Sequence, residues 1–276
     1  MKNLKNFLKS ILGKKFFDII YTTYLMIINP KKEIPNLVLK SKFYVKDDNN
    51  KTLFSIRLLG GSTFDRGNLF YESEPETINW IKNFNKNSVF FDIGANIGLY
   101  SLYSAKLNHR VISFEPESLN FAALNLNITD NNFQEKIICY PIALDNSFLI
   151  SKLKISKFRF GSSGHTFHDN SKNYSHEERE FLQSQGSISV SLDHFSESQN
   201  IYPDYIKIDV DGNELKVING MKNLLKSKKI KSILIEIDKK IHGHQLVKEI
   251  IESNSYRLDY FAQKRKGANN HIFNLI

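Results

Sequence analysis

Two short stretches of this chain combine residue types that can do chemistry. The first is Val89-Phe-Phe-Asp-Ile-Gly-Ala-Asn-Ile-Gly98, followed by Leu99, Tyr100 and Ser101. An almost wholly apolar run ends in Asp92, and Gly94 and Gly98 follow in the spacing D-x-G-x-x-x-G. Glycines there let the backbone approach a ligand at the carboxyl edge of a sheet, where open α/β sheets bind their ligands. Dinucleotide folds use G-x-G-x-x-G to press a pyrophosphate onto a helix N-terminus. The spacing here is different. A carboxylate at Asp92 would also repel pyrophosphate, whereas it attracts the amino group and sulfonium of S-adenosylmethionine. Candidate cofactor residues are therefore Asp92, Gly94, Ala95, Asn96 and Gly98, with Tyr100 and Ser101 in the first turn of the following helix. Glu115 and Pro116 close the next apolar run, where an acid can accept both ribose hydroxyls; dinucleotide folds place an acid there too, so that position decides nothing alone.

The second stretch is Tyr205-Ile-Lys-Ile-Asp-Val-Asp-Gly-Asn-Glu214. On a strand, Lys207 and Asp209 point to one face, and a central strand has that face covered by helices. A charge buried alone there costs several kcal/mol, so the pair needs a reason. One reason is a structural Lys207–Asp209 ion pair. The other is catalytic: Asp209, at the carboxyl end of the strand, is placed to receive a substrate hydroxyl, with Asp211 as a second candidate base. Asp211 and Glu214 also suit the cap of the helix that follows. His165 and His168 are further candidate bases, because imidazole titrates near neutral pH, against the plainer reading of a solvated loop. Asp209, Asp211 and Glu236 or Asp238 could hold Mg²⁺ through oxygen ligands, but their spacing is not diagnostic and no metal is assigned. His242 and His244 read best as solvent-exposed residues at a helix start.

These residues need elements to position them. Val89–Ile93, Val111–Phe114 and Lys136–Ala143 read as buried strands, separated by helices over Leu99–Leu107 and Ser118–Ile128, with Ser118 a candidate N-cap. The alternation resumes with a strand at Tyr205–Val210, a helix at Glu214–Ser227, a strand at Ser232–Ile237 and a helix at Gln245–Ser253. Tyr256–Ala262 and His271–Ile276 follow as strands with no helix between them, which implies a hairpin. Residues 147–195 break the rhythm and read as an inserted β-hairpin or lid. The pattern divides the chain into a basic helical arm (1–36), a β-rich lead-in with a helix at Glu76–Phe84 (37–87), and an α/β core (88–276). Strand–helix alternation predicts a mostly parallel, doubly wound sheet with helices on both faces.

Composition narrows the partners. The chain has 276 residues, net charge +9 and 41% hydrophobic residues, enough for a real core. Its single cysteine, Cys139, excludes an internal disulfide and any multi-cysteine metal site. That reads as a reduced, cytoplasmic protein. The positive excess concentrates in the arm, where Lys2, Lys5, Lys9, Lys14, Lys15, Lys31 and Lys32 face only Asp18. The core therefore lacks a basic groove, and Asp-Val-Asp-Gly at the strand end would repel phosphate, which argues against a nucleic-acid substrate. Leu4, Phe7, Leu8, Ile11 and Leu12 recur at helical spacing. Two readings stand for the arm: docking on its own domain or on a second subunit in a homodimer, or lying on the inner membrane surface.

Taken together, D-I-G-A-N-I-G at 92–98, F-E-P at 114–116, A-L-D at 143–145, I-K-I-D-V-D-G-N-E at 206–214 and N-H-I-F at 270–273 resemble the FkbM family of methyltransferases. The resemblance covers roughly residues 50–276. It implies a Rossmann-like class I methyltransferase fold, with a seven-stranded sheet carrying one C-terminal antiparallel strand. It also implies S-adenosylmethionine as cofactor, Ala143 as a further cofactor residue, and O-methylation of a sugar, typically in a surface polysaccharide, or of a small metabolite. The family's usual acid at the position of Asp211 is Glu. This chain keeps the charge and shortens its reach.

Overall fold

The computed structural model describes residues 41–167, 180–238, 241, 243–263 and 268–276. The basic arm, His168 and His242 lie outside the described residues.

Seven strands form the central sheet, in the order β12-β13-β11-β10-β3-β4-β5. Its parallel centre is β3 (Val89–Ile93), β4 (Arg110–Phe114), β5 (Ile137–Tyr140), β10 (Tyr205–Ile208) and β11 (Ser232–Asp238). Apart from Ser113, Asp92 and Lys207, the central strands β3, β4 and β10 are apolar or aromatic on both buried faces over most of their length. At one edge, β12 (Tyr256–Gln263) and β13 (Ala268–Leu275) make the expected hairpin, and β13 runs antiparallel between β11 and β12. The sheet is therefore mixed. The chain starts at β3, winds outward through β4 and β5, then crosses back to β10, so β3 and β10 flank the topological switch point.

Helices cover both faces. α3 (Pro75–Lys82), α4 (Leu99–Lys106) and α5 (Ser118–Asp130) enclose one apolar core with Phe90, Val111 and Leu234. α6 (Leu192–Gln199), α7 (Glu214–Asn219), α8 (Lys222–Ser227) and α9 (His244–Ser253) enclose the other core with Phe91, Ile206 and Ile235. Ahead of them, β1 (Lys42–Lys46) and β2 (Thr52–Arg57) form an antiparallel ribbon. It is stitched to α5 where Asn127 and Asn131 accept the N–H groups of Arg57 and Ser55 at 2.8 and 2.7 Å. Two short helices, α1 (Thr63–Asn68) and α2 (Phe70–Ser73), lead from this ribbon to α3.

The insertion is more than a hairpin. β6 (Ala143–Leu144), β7 (Leu149–Ile155), β8 (Thr166–Phe167) and β9 (Gln183–Val190) build a separate four-stranded sheet in the order β6-β9-β7-β8. Ala143 thus belongs to this second sheet and does not extend β5. Pro141 lacks the N–H a ladder needs, and the chain changes sheets just after it. Helix α6 begins inside the segment read as insertion; Ser191 caps it by accepting from His194 N. At α5 the N-cap is Glu117, not Ser118: the Glu117 carboxylate accepts from Leu119 N and Asn120 N. A carboxylate there satisfies orphan N–H groups and complements the positive end of the helix.

Candidate active site

The carboxyl ends of β3, β4 and β10 open into one concave cavity. Its floor is the loop after β3. Gly94 and Ala95 donate their N–H groups to Phe114 O of β4 at 3.0 and 3.1 Å, so the loop folds back across the sheet edge. Gly94 has φ +78°, and a Cβ there would sit 1.9 Å from the Asp209 carbonyl oxygen. Only glycine fits between β3 and β10. Gly98 starts α4 with φ +90°, where a Cβ would strike Leu124.

Glu115 lies in this cavity with one wall of its carboxylate already engaged. Oε2 accepts from Asn96 N at 2.7 Å and Oε1 from Glu117 N at 2.9 Å. Burial pushes its carboxyl up to about 8, against the pull of those two N–H groups and with a push from the charges of Glu117 and Asp211. Pro116, Ala143, Ala95, Asn96 and Tyr100 line the same cavity.

Asp92, Gly98 and Ser101 are placed differently. They do not line the cavity, and Asp92 is fully buried beneath the loop. Its Oδ2 accepts from Ser101 Oγ at 2.5 Å, and Ser101 Oγ lies 2.8 Å from Ser113 Oγ. In register, Asp92 stands beside Lys207 on β10 and Ser113 on β4, so a polar row crosses the sheet just below its edge. Burial raises the Asp92 carboxyl, opposed by Lys207 and by the Ser101 bond. Its Oδ1 is buried without a hydrogen-bond partner among the described residues.

Lys207 and Asp209 are paired: Nζ lies 2.8 Å from Oδ2, with Lys207 only 2% exposed and Asp209 28%. Nζ also sits 5.1 Å from the centre of the Tyr100 ring. Burial alone would lower the Lys207 pKa, but Asp209, Glu74 and Asp92 together outweigh it and hold the ammonium above its ordinary value. Asp211 has φ +56° and accepts from Gly164 N at 2.7 Å. Glu214 is buried and shapes the same turn, its Oε1 accepting from Val210 N and Gly212 N. His244 is not solvent-exposed. It is 2% exposed, with Nε2 lying 2.8 Å from Glu214 Oε2 and Nδ1 accepting from Asp238 N. Its partner lies two helices and a strand away in sequence, so the local pattern gave no sign of it.

A roof closes the cavity from the insertion. Ser162 O accepts from Asn96 Nδ2 at 2.7 Å and from Asn120 Nδ2 at 3.0 Å, and Gly161 N donates to Asn120 Oδ1 at 2.8 Å. Asn213 Nδ2 donates to Phe167 O at 3.2 Å. His165 is half-buried in this roof, its Nε2 3.1 Å from Ser162 Oγ, and burial lowers its pKa. Arg66, Phe70, Ser73 and Glu74 line the cavity from α1, α2 and the residue after it. Nothing in the strand-and-loop motifs points to them; a helical spacing from Arg66 to Phe70, Ser73 and Glu74 was the available signal. Asn270, in the closing N-H-I-F, donates to Glu76 Oε1 at 2.7 Å and to Glu74 Oε2 at 3.1 Å.

Among the described residues, no group of three or more His, Cys, Asp or Glu is placed to hold a metal ion. No helix among them is long and apolar enough to cross a membrane.

Comparison with known proteins adds to this geometry. The chain is 25% identical over 173 residues to the hexuronic acid methyltransferase AglP of Haloferax volcanii, a match spanning 61% of this chain and 63% of that protein. Similar solved structures include precorrin-6y C5,15-methyltransferase of Geobacter metallireducens, with TM-score 0.41 and 13% identity over 73% of this chain and 85% of that one. Ribosomal protein L11 methylase of Lactobacillus delbrueckii subsp. bulgaricus has TM-score 0.43 and 12% identity over 73% of this chain and 75% of that one. Structural likenesses of this degree carry no argument about activity. The methyltransferase FkbM domain model matches residues 92–258, a span running from Asp92 to the start of the C-terminal hairpin and taking in the floor, the insertion and the polar strand. With more than half of its length in that match, the chain belongs to the FkbM methyltransferase family.

Proposed function

We propose that this protein transfers a methyl group from S-adenosylmethionine to a hydroxyl of a sugar or a small metabolite. The observation that carries the reading is the meeting, in one cavity, of Glu115 with the glycine loop on one side and the Lys207–Asp209 pair on the other. The residues suit the cofactor. The Gly94 backbone leaves room at the sheet edge that no other residue would leave, and the carboxylates Glu74, Asp92 and Asp209 outnumber Lys207 nearby, which favours a cationic ligand. When bound, S-adenosylmethionine supplies a methyl group activated on a positively charged sulfur.

The chain's own residues then have separable tasks. Glu115 keeps lone pairs for the two ribose hydroxyls beyond the N–H groups it already accepts. Ala95, Asn96, Pro116 and Ala143 shape the walls around it. Asp92 acts from below, holding the first turn of α4 through Ser101. Lys207 fixes one oxygen of Asp209, leaving Oδ1 to take the proton of the acceptor hydroxyl as the methyl group arrives. Alignment of donor and acceptor can supply about 7–11 kcal/mol, and a positioned base about 10²–10⁴-fold in rate. Asp211, tethered to Gly164, is the second carboxylate at the acceptor end. The hexuronic acid methyltransferase relative supports a sugar as acceptor.

Calorimetric titration with S-adenosylhomocysteine tests the cofactor half of this reading. Wild-type binding that is lost in Glu115→Ala is the expected result; a folded wild type that binds none overturns it. For the catalytic half, Asp209→Asn should leave that binding within a few-fold while lowering methyl transfer to a sugar acceptor by about 10²–10⁴-fold. Unchanged turnover would remove Asp209 from the role of base.

A further inference from the structure

The cavity gathers carboxylates, yet one strong cation sits on its roof side with no ion-pair partner among the described residues. Arg66 projects from the last turn of α1 and lines the cavity. Its Nε donates to Gly161 O at 2.6 Å, the one hydrogen bond it makes among the described residues, so the guanidinium is anchored by its stem and keeps both Nη groups for a ligand. The anchor is firm. Ser62 N donates to Phe160 O at 3.1 Å, Gly161 N donates to Asn120, and a Cβ at Gly161 would come within 3.3 Å of the Ser62–Thr63 backbone, so α1 and the insertion meet as one wall. A half-buried arginine held in this way has already lost part of its side-chain freedom, so less is lost when a ligand arrives.

The other cation of the cavity is not available. Lys207 is buried, is bonded to Asp209, and stands in register beside Asp92. His165, the remaining basic group that lines the cavity, faces Arg66 and Glu117 and is lowered by burial, so it adds no fixed positive charge. The donor's positive sulfur gains nothing from a free guanidinium, whereas its methionine carboxylate does, a use that the titrations below tell apart from an acceptor's. An acceptor with a negative charge gains as well, because the surrounding Glu74, Asp209 and Asp211 would otherwise repel it. A planar fork with two parallel N–H donors matches a carboxylate, and one guanidinium balances one negative charge.

We infer that Arg66 is a subsite for a carboxylate on the acceptor, so that the substrate class is an acidic sugar of the uronic acid type. The inference rests on the methyl-transfer reading above and assigns a specificity-determining contact within it. The guanidinium holds the carboxylate at the α1–insertion wall, and the hydroxyl to be methylated then reaches Asp209 across the cavity.

The test is a pair of titrations on the full chain saturated with S-adenosylhomocysteine, using methyl β-D-glucuronide and its neutral counterpart methyl β-D-glucoside. The wild type should bind the glucuronide about tenfold or more tightly than the glucoside, a gap typical of one charge-assisted contact. Arg66→Gln should erase that gap, and Arg66→Lys should restore part of it. S-adenosylhomocysteine affinity and thermal midpoint are measured for each variant. Equal binding of the two sugars by the wild type, including no binding of either, overturns the inference. So does a loss of S-adenosylhomocysteine affinity in Arg66→Gln with the sugar gap retained, which would give the guanidinium to the carboxylate of the donor. Failure of the wild type to bind S-adenosylhomocysteine at all is a different result and strikes the methyl-transfer reading itself.

Discussion

The floor and the roof of the cavity are built on opposite principles. The floor is made of consecutive residues at the ends of neighbouring strands. Its polar row of Lys207, Asp92 and Ser113 follows from strand register alone, and its loop is forced into place by the contact of Gly94 with the Asp209 carbonyl. The roof is made of segments far apart in sequence, α1–α2 and residues 157–167, joined by hydrogen bonds to main-chain atoms. The difference teaches where stability and where selectivity reside. Disturbing the floor should unfold or empty the site, whereas disturbing the roof should change what the site accepts.

The largest effect should come from Lys207→Met. Removing the ammonium leaves Asp209, Asp92 and Glu74 without their shared counter-charge, and breaking a buried pair from one side costs about 3–5 kcal/mol. Urea denaturation would register this; a loss under 1 kcal/mol, roughly the worth of a surface pair, would mean the floor does not depend on its charge row. Gly94→Ala should come next, at about 3 kcal/mol, combining a left-handed φ with a backbone collision that a neighbour cannot relieve.

A smaller, pH-dependent effect should appear at Glu115. Its carboxyl titrates at about 8, because burial disfavours the charged form, while the ribose hydroxyls need that charged form as acceptor. Binding to the ionised group requires a proton to leave below this value. Affinity for S-adenosylhomocysteine should therefore climb roughly tenfold per pH unit up to about pH 8 and then level off. Glu115→Gln should flatten that slope and weaken binding at high pH by about tenfold. A slope that survives the substitution would assign the titration to another group. The smallest effect belongs to the roof: His165→Gln should change folding stability by no more than about 0.5 kcal/mol. It should also alter turnover far less than Asp209→Asn does. A hundredfold loss of turnover would make the histidine the base and reverse the division of labour between floor and roof.

This division also decided what could be read from the amino-acid sequence. Val89–Ile93, Gly94, Glu115 and the Lys207–Asp209 stretch were legible because strand, turn and charge lie within a few residues of each other. The terminal hairpin was legible because no helix fits between its strands. The insertion was seen as an interruption, but its four-stranded sheet was not, since β6 pairs with β9 across more than forty intervening residues. Arg66 and Glu74 stayed hidden because their cavity-facing role depends on how two short helices dock. His244 was misread because its burial is decided by Glu214, which no local periodicity reveals. Asp92 was read as a cofactor residue from its charge at a strand end, whereas the register with Lys207 and the bond from Ser101 place it under the loop and out of the cavity lining.

One detail of the roof reaches beyond this molecule. Asn96, Asn120, Asp211 and Asn213 each grip the segment 161–167 through its peptide groups, and none of those bonds asks for a particular side chain there. Those bonds ask for no side chain, but the path does: Gly161 and Gly164 have φ +74° and +83°, and Ser162, Thr166 and Phe167 are buried. A segment that keeps those five residues would dock on the same four anchors, which makes Ser163 and His165, both lining the cavity, the exchangeable positions for re-targeting the acceptor without redesigning the fold.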